Sequence, residues 1–301
     1  MFMPMFYEIN PKSWDDAKRA GRSLSRYDRR FIFRGQSDKR WGLKTSLERA
    51  NEKYRTDSTG IWMHENQIIE RFKTRAHQFI QSPPTTNDVI EWLSIIQHYG
   101  GPTRLLDFTK SFYIASFFAI DSALGDACVW AINETPLANF GQDKTDLDLT
   151  YLDAPQFPGK IQEILIFAGN LITKLDHTDT YILSLTPSRL NERLSVQRGK
   201  FLFPSNIFKS FEENLCTSFG FPFNTLNPKN STRVNTKKLE EAVENLDVWP
   251  SIVKINLSKK WHLEAIRDLY SMNIDAASLF PGLEGFARSL AFIIKDNYDE
   301  M

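Results

Sequence analysis

Cysteine is scarce in this sequence: Cys128 and Cys216 are the two among 301 residues. Two thiols cannot build a disulfide framework, and Cys128 lies in the apolar run Ala127-Cys128-Val129-Trp130-Ala131, where a thiol acts as a small hydrophobe. A reducing compartment is expected. Net charge is also missing, since 37 Lys+Arg offset 37 Asp+Glu, which excludes a chain held to phosphate by its overall field. Long apolar runs are absent: Phe112 to Ile120 and Ile164 to Ala168 are too short to span a bilayer, and Met1 to Asn10 has neither a basic start nor an apolar stretch. The expectation is a cytoplasmic protein without a membrane partner. None of His64, His77, His98, His177 and His262 makes a metal-ligand spacing with another His or Cys, so no metal is expected. No repeat of 20 to 50 residues, phosphate-binding Walker loop, Gly-x-Gly-x-x-Gly or Gly-x-Ser-x-Gly occurs, which removes solenoids and the common nucleotide-loop, Rossmann and hydrolase readings.

What is abundant is material for a core. The apolar share is 42% and aromatics reach 13%, including 23 Phe, at a length that suits one large domain of residues 1–301 with its core at about 30–295. Ser13 to Ser25 reads as a helix capped by Ser13. The apolar spacing predicts helices over Ile61 to Ile80 and Val89 to Tyr99. Phe112 to Ile120 is apolar on nearly every side, so it must be an enclosed central helix. Phe31 to Phe33, Cys128 to Ile132, Ile164 to Ala168, Tyr181 to Leu185, Lys200 to Phe203 and Ile252 to Ile255 read as strands. Lys259 to Tyr270 and Leu283 to Ile294 close the chain as amphipathic helices, the last with Leu283, Phe286, Ala287, Leu290, Ile293 and Ile294 on one stripe. The mixture predicts an α+β fold with a mostly antiparallel or split sheet. Residues 134–160, with Asp143, Asp146, Asp148 and Asp153, and 221–239 read as loop insertions.

Two segments carry the chemistry. In Phe33-Arg34-Gly35-Gln36, an Arg at the end of an apolar strand can reach an anion at the sheet rim while the glycine admits close backbone approach; alternatively, Arg34 pairs with a structural carboxylate such as Asp107. In the segment from Gln97 to Ser111, the Gly100-Gly101-Pro102 turn, Arg104, Asp107, Thr109 and Ser111 immediately precede the enclosed helix. Free N–H groups, hydroxyls and a helix N-terminus there offer a place for a phosphate or ribose, with Thr109 or Ser111 also expected as N-cap. His98, beside Tyr99, is a possible base or ribose partner or a hydrogen-bonded structural residue.

The Phe33-Arg34-Gly35 motif, the block from Gln97 to Asp107 with Phe117-Phe118-Ala119 after it, Arg193 with Gln197-Arg198-Gly199-Lys200-Phe201, and Leu279-Phe280-Pro281-Gly282-Leu283-Glu284-Gly285 together resemble the FRG domain family. The resemblance runs from about Phe31 to Leu290. The motif layout also resembles the ADP-ribosyltransferase superfamily, in which an Arg on the first core strand is followed by an aromatic-Ser-Thr-Ser strand, an Ala-x-x-Phe-Ala-like helix and a later catalytic Glu. Arg34 matches the first element, and Phe108-Thr109-Lys110-Ser111 with Ala115 and Phe118-Ala119 resembles the second. The sequence departs at the third, where Gln197 and Gly199 stand in place of a Glu-x-Glu pair. This likeness implies an ADP-ribosyltransferase-like split sheet with flanking helices, and NAD as substrate.

Transfer from NAD passes through an oxocarbenium-like state, so the resemblance assigns catalytic roles to Arg34, Tyr99, Glu284 and Gln197 and cofactor contacts to Arg34, Gly35, His98, Tyr99, Thr109 and Ser111. Gln197 replaces one carboxylate or Glu284 supplies the acid; Glu284 could equally complement the dipole of the last helix. Arg104 and Asp107 are expected to form a structural pair. From Lys12 to Arg49, twelve basic residues meet five acidic ones, interleaved with Tyr27, Phe31, Phe33 and Trp41, a pattern suited to single-stranded nucleic acid. The combined expectation is an NAD-consuming toxin or defence effector acting on RNA or another macromolecule, with a neutralising antitoxin protein and a chaperone as partners. A non-catalytic module that senses a nucleotide or nucleic acid is the other reading.

Overall fold

The computed structural model describes residues 5–26, 30–54, 60–145, 147–149, 156–174, 178–187, 192–222, 225–227, 230–244 and 250–296. Its strands are β1 (Met5–Ile9), β2 (Phe31–Gln36), β3 (Leu106–Thr109), β4 (Ala127–Asn133), β5 (Ile182–Leu185), β6 (Gly199–Pro204), β7 (Thr232–Val234) and β8 (Pro250–Leu257). The helices before β4 are α1 (Trp14–Leu24), α2 (Ser46–Tyr54), α3 (Ile61–Ala76), α4 (Val89–His98) and α5 (Phe112–Ile120). After it come α6 (Glu134–Thr145), α7 (Pro158–Thr173), α8 (Glu192–Val196), α9 (Phe211–Ser218), α10 (Thr236–Glu244), α11 (His262–Ser271), α12 (Ala276–Leu279), α13 (Leu283–Ser289) and α14 (Ala291–Asp296).

The strands form one mixed sheet in the order β5-β6-β3-β2-β4-β8-β1-β7. β1 runs parallel to both β7 and β8; the other neighbours are antiparallel. The fold is α+β, and the expected antiparallel majority is present. One junction is weak. β2 pairs with β4 from Phe31 to Gln36, yet it meets β3 in register only at Phe33 and Thr109.

Alternation along the strands sorts the core to two faces. On β4, Ala127, Val129 and Ala131 join α1 and α5 in one cluster, whereas Cys128, Trp130 and Ile132 join α9 in another. The α5 side is divided again, because Phe201 and Phe203 of β6 pack with α3, α4 and α7 in a separate cluster. β3 lies between them with the alternating sequence Leu-Asp-Phe-Thr. Leu106 and Phe108 enter the α9-side core, so Asp107 and Thr109 are left on the face where the two clusters part.

α5 is the enclosed helix that its composition requires, with Phe112, Ala115, Ala119 and Ile120 buried and Ser111 Oγ accepting from Ile114 N at 3.3 Å as N-cap. Ser13 caps α1 in the same way, accepting from Asp16 N at 3.2 Å. Several expectations are corrected. Ile164 to Ala168 is helical, the middle of α7, because a five-residue apolar run has no periodicity to separate strand from buried helix. The expected loop 134–160 holds all of α6 and the start of α7, while Asp146 and Asp153 lie outside the described residues. Within 221–239, β7 pairs with β1 and α10 begins. The last amphipathic helix is broken into α13 and α14, and its stripe faces outward: Leu283 is 80% exposed and Ile294 77%. The interior of that segment packs through other residues, with Phe292 stacked on Tyr270 at 4.0 Å.

A basic cleft where the sheet parts

A cavity of about 310 Å³ opens where β2 and β3 separate. Arg34 and Gly35 line it from β2, Asp107, Phe108 and Thr109 from β3, Gln97 and His98 from the end of α4, Ala115 and Phe118 from α5, and Arg193 and Gln197 from the α8 region. Antiparallel continuation from the Phe33–Thr109 pair would set Gly35 opposite Asp107. The Arg34 side chain takes that place, its Nη1 donating to the Asp107 carbonyl at 2.8 Å. Its Nε is sealed from solvent and has no hydrogen-bond partner. Desolvation lowers the Arg34 pKa, opposed by the charge of Asp107. The guanidinium nevertheless stays protonated, so the cleft holds a half-buried cation whose Nε has no partner.

Arg193 supplies a second guanidinium, also lowered chiefly by burial and also within reach of the Asp107 charge. It lies 4.5 Å from the centre of the Phe280 ring, and Arg288 lies 4.0 Å from the same ring. Phe118 meets Phe280 edge-on at 5.8 Å, which ties the Leu279–Gly285 turn to the cleft wall. Burial lowers the pKa of His98, Arg193 lowers it further and Glu284 opposes them. A neutral imidazole is therefore favoured beside the two guanidiniums.

The structure brings Arg34, Gly35, His98, Thr109 and Gln197 together at the cleft and leaves Tyr99, Ser111 and Glu284 outside its lining. Tyr99 is 72% exposed and lies edge-on to His98 at 4.8 Å. Ser111 serves as the α5 cap. Glu284 is exposed on the first turn of α13. The Thr109 hydroxyl donates to the Gln197 carbonyl at 2.7 Å and accepts from Ser111 N at 3.1 Å, while Gln197 Nε2 donates to the Leu279 carbonyl at 2.9 Å. Both side chains thus brace the cleft wall.

Gly35 is explained by packing. A Cβ there would stand 2.0 Å from the Ala115 carbonyl oxygen and 2.6 Å from Ala119 N, so its absence lets α5 lie against β2. Nor do the N–H groups of the Gly100–Leu105 turn form a phosphate cradle. Gly100 N and Gly101 N close the end of α4 on the Gln97 and Ile96 carbonyls, with Gly100 at φ 81°. Thr103 N is taken by Ser46 Oγ at 2.9 Å and Leu105 N by Thr103 Oγ1 at 3.2 Å.

Arg104 does not pair with Asp107. It is 2% exposed and bound to Glu65 of α3, its Nε 2.9 and 2.8 Å from the two carboxylate oxygens. The basic stretch is also largely spent within the fold: Lys18 on Asp15 and Asp268, Arg19 on Glu240, Lys39 on Asp126, Arg40 on Asp38 and Lys44 on Glu52. Of its aromatics, Phe31 and Phe33 are buried and Trp41 is 55% exposed; Tyr27, with Asp28 and Arg29, lies outside the described residues. His177 is outside them too. Among the described residues, no group of three or more His, Cys, Asp or Glu could hold a metal ion, and no helix is long and apolar enough to cross a membrane.

Asp107, Arg193 and Phe118 are cleft residues to which the sequence assigned no ligand role. The polar positions of the alternating Leu106-Asp107-Phe108-Thr109 pattern were the available signal. Fold and cleft define an α+β protein whose mixed sheet opens onto a cationic, aromatic-walled cleft. Residues 29–127 match the FRG domain, from just before β2 to the first residue of β4, and so include Arg34, His98, Asp107, Thr109 and α5. The Arg193–Phe201 and Leu279–Gly285 segments lie beyond the matched residues. No match was found among curated proteins or among solved structures.

Proposed function

We propose that the protein is an NAD-dependent ADP-ribosyltransferase, an intracellular toxin or defence effector that modifies nucleic acid, RNA first, or another macromolecule. The observation that carries the reading is the Arg34 guanidinium: half-buried, without a partner at its sealed Nε and accompanied by Arg193 in a cavity of about 310 Å³. A desolvated cation with a free donor is costly unless an anion completes it, and a diphosphate does so with charge-assisted bonds. Phe118 supplies apolar wall for a flat ring, and neutral His98 can bond a ribose hydroxyl. The single paired position between β2 and β3 supports reading the sheet as the ADP-ribosyltransferase-like split.

RNA as acceptor draws support from the exposed loop beside β2, where Arg40 is 84% and Trp41 55% exposed. A base can stack on the ring while the guanidinium meets a phosphate, since the exposed Arg40–Asp38 pair is weak enough to be exchanged. An antitoxin that plugs the cleft would be the matching partner.

The non-catalytic reading is favoured by one observation: Gln197, in place of a carboxylate, spends its amide on the Leu279 carbonyl. Incubating the protein with NAD and total RNA, and following nicotinamide release and a mass gain on RNA, separates the two. Turnover supports the enzyme. Stabilisation by NAD without nicotinamide release supports the binding module, and neither effect refutes both.

A further inference from the structure

We propose that Asp107 is the catalytic carboxylate of the cleft, in place of Gln197 or Glu284; this rests on the transferase reading above. Among the described residues that line the cavity, Asp107 is the acidic one. It stands on β3 two residues before Thr109, on the same strand face and in the gap between the two core clusters. The Arg34 hydrogen bond goes to its backbone carbonyl, so the carboxylate is not needed to hold that guanidinium. It shares the cavity lining with Arg34 and Arg193, the groups that would bind a diphosphate, and its charge acts on both. Gln197 is committed to the Leu279 carbonyl, and Glu284 is exposed beyond the lining.

The chemistry fits a carboxylate there. As the bond between ribose C1′ and the pyridinium nitrogen lengthens, its electron pair leaves with the nitrogen, and nicotinamide departs neutral. Positive charge develops on the ribose C1′–O4′ unit, where a fixed carboxylate stabilises the transition state more than the ground state. The acceptor's oxygen or nitrogen then bonds to C1′, and its proton passes to water.

The test compares wild type, Asp107→Asn, Asp107→Glu and Glu284→Gln. Nicotinamide release is measured with NAD and RNA, and binding of ADP-ribose, which lacks the scissile bond, by calorimetry. Asp107→Asn is expected to bind ADP-ribose at least as tightly as wild type, because a negative charge beside the diphosphate is gone. Its kcat should fall about 100-fold or more. Asp107→Glu should recover part of that loss, and Glu284→Gln should turn over normally.

If Asp107→Asn retains kcat within about tenfold of wild type, the assignment is overturned while the transferase reading stands. Loss of ADP-ribose binding together with turnover also overturns it, since that is what a residue merely positioning the arginines would give. A wild type that binds NAD without releasing nicotinamide overturns the enzyme reading and this assignment together.

Discussion

Arg104 and Glu65 form an ion pair at 2% and 0% exposure, and removing one partner should be far more damaging than removing both. Glu65→Leu leaves a guanidinium whose remaining contacts are the Pro204 carbonyl at 3.5 Å and the face of Phe203 at 5.1 Å. An uncompensated buried charge costs about 3–5 kcal/mol. Arg104→Met strands the Glu65 carboxylate among buried atoms, with a cost of the same order. The double variant Glu65→Leu with Arg104→Met removes both charges while keeping much of the volume, so its stability should lie within about 1 kcal/mol of wild type. Urea unfolding followed by the fluorescence of the 7 tryptophans, with circular dichroism as second probe, measures all four proteins. The expected coupling energy is about 2 kcal/mol or more. Single variants that each cost under about 1 kcal/mol, or a double variant costing the sum of the two, would refute the reasoning. The pair also serves the cleft. Arg104 lies two residues before β3, so its link to α3 anchors the strand that presents Asp107 and Thr109.

Two further perturbations follow from the same geometry. Gly35→Ala drives a methyl group into the backbone of α5, which cannot yield as a side-chain end would, so a loss of roughly 3 kcal/mol or more is expected in urea unfolding; a change below about 1 kcal/mol would show that α5 is not held against β2 as described. Burial lowers the pKa of His98 below its ordinary 6.5, so the unfolded chain binds that proton more tightly than the folded one. This contribution is fully present above pH 6.5 and is drained as pH falls through the window beneath it; His98→Gln should therefore flatten the stability profile between about pH 7 and 5, and an unchanged slope would count against a desolvated imidazole.

Much of the architecture could be read without coordinates. Phe112 to Ile120 is apolar on nearly every side, which in water requires enclosure, and the helix boundaries found are those the run implies. Ser13 and Ser111 announce their caps because a short hydroxyl side chain before an amphipathic or apolar stretch satisfies orphan N–H groups. Arg34, His98, Thr109 and Gln197, singled out through their motifs, do come together in the lining of the cleft. What escaped was decided by partners distant in sequence. Ile164 to Ala168 is helix because α7 packs on α4, a contact absent from a five-residue pattern. Arg104 finds Glu65 rather than Asp107, which is three residues away but on a face turned toward the cleft.

The sequence by itself determined the composition of the core, the order of most elements and the placing of one arginine at the end of an apolar strand, because burial and capping are local bargains between neighbouring side chains and water. Only the tertiary structure decided which charges are spent and which remain. The basic stretch looked like a surface for phosphate, yet Asp268, Glu240, Asp126 and Glu52, outside that stretch, take three of its lysines and one arginine. Arg34 keeps an unsatisfied Nε because β2 and β3 separate after a single pair, and the gap is filled by a side chain instead of a backbone ladder. Coulomb attraction acts through space, and the distances that set it exist only once the sheet has formed.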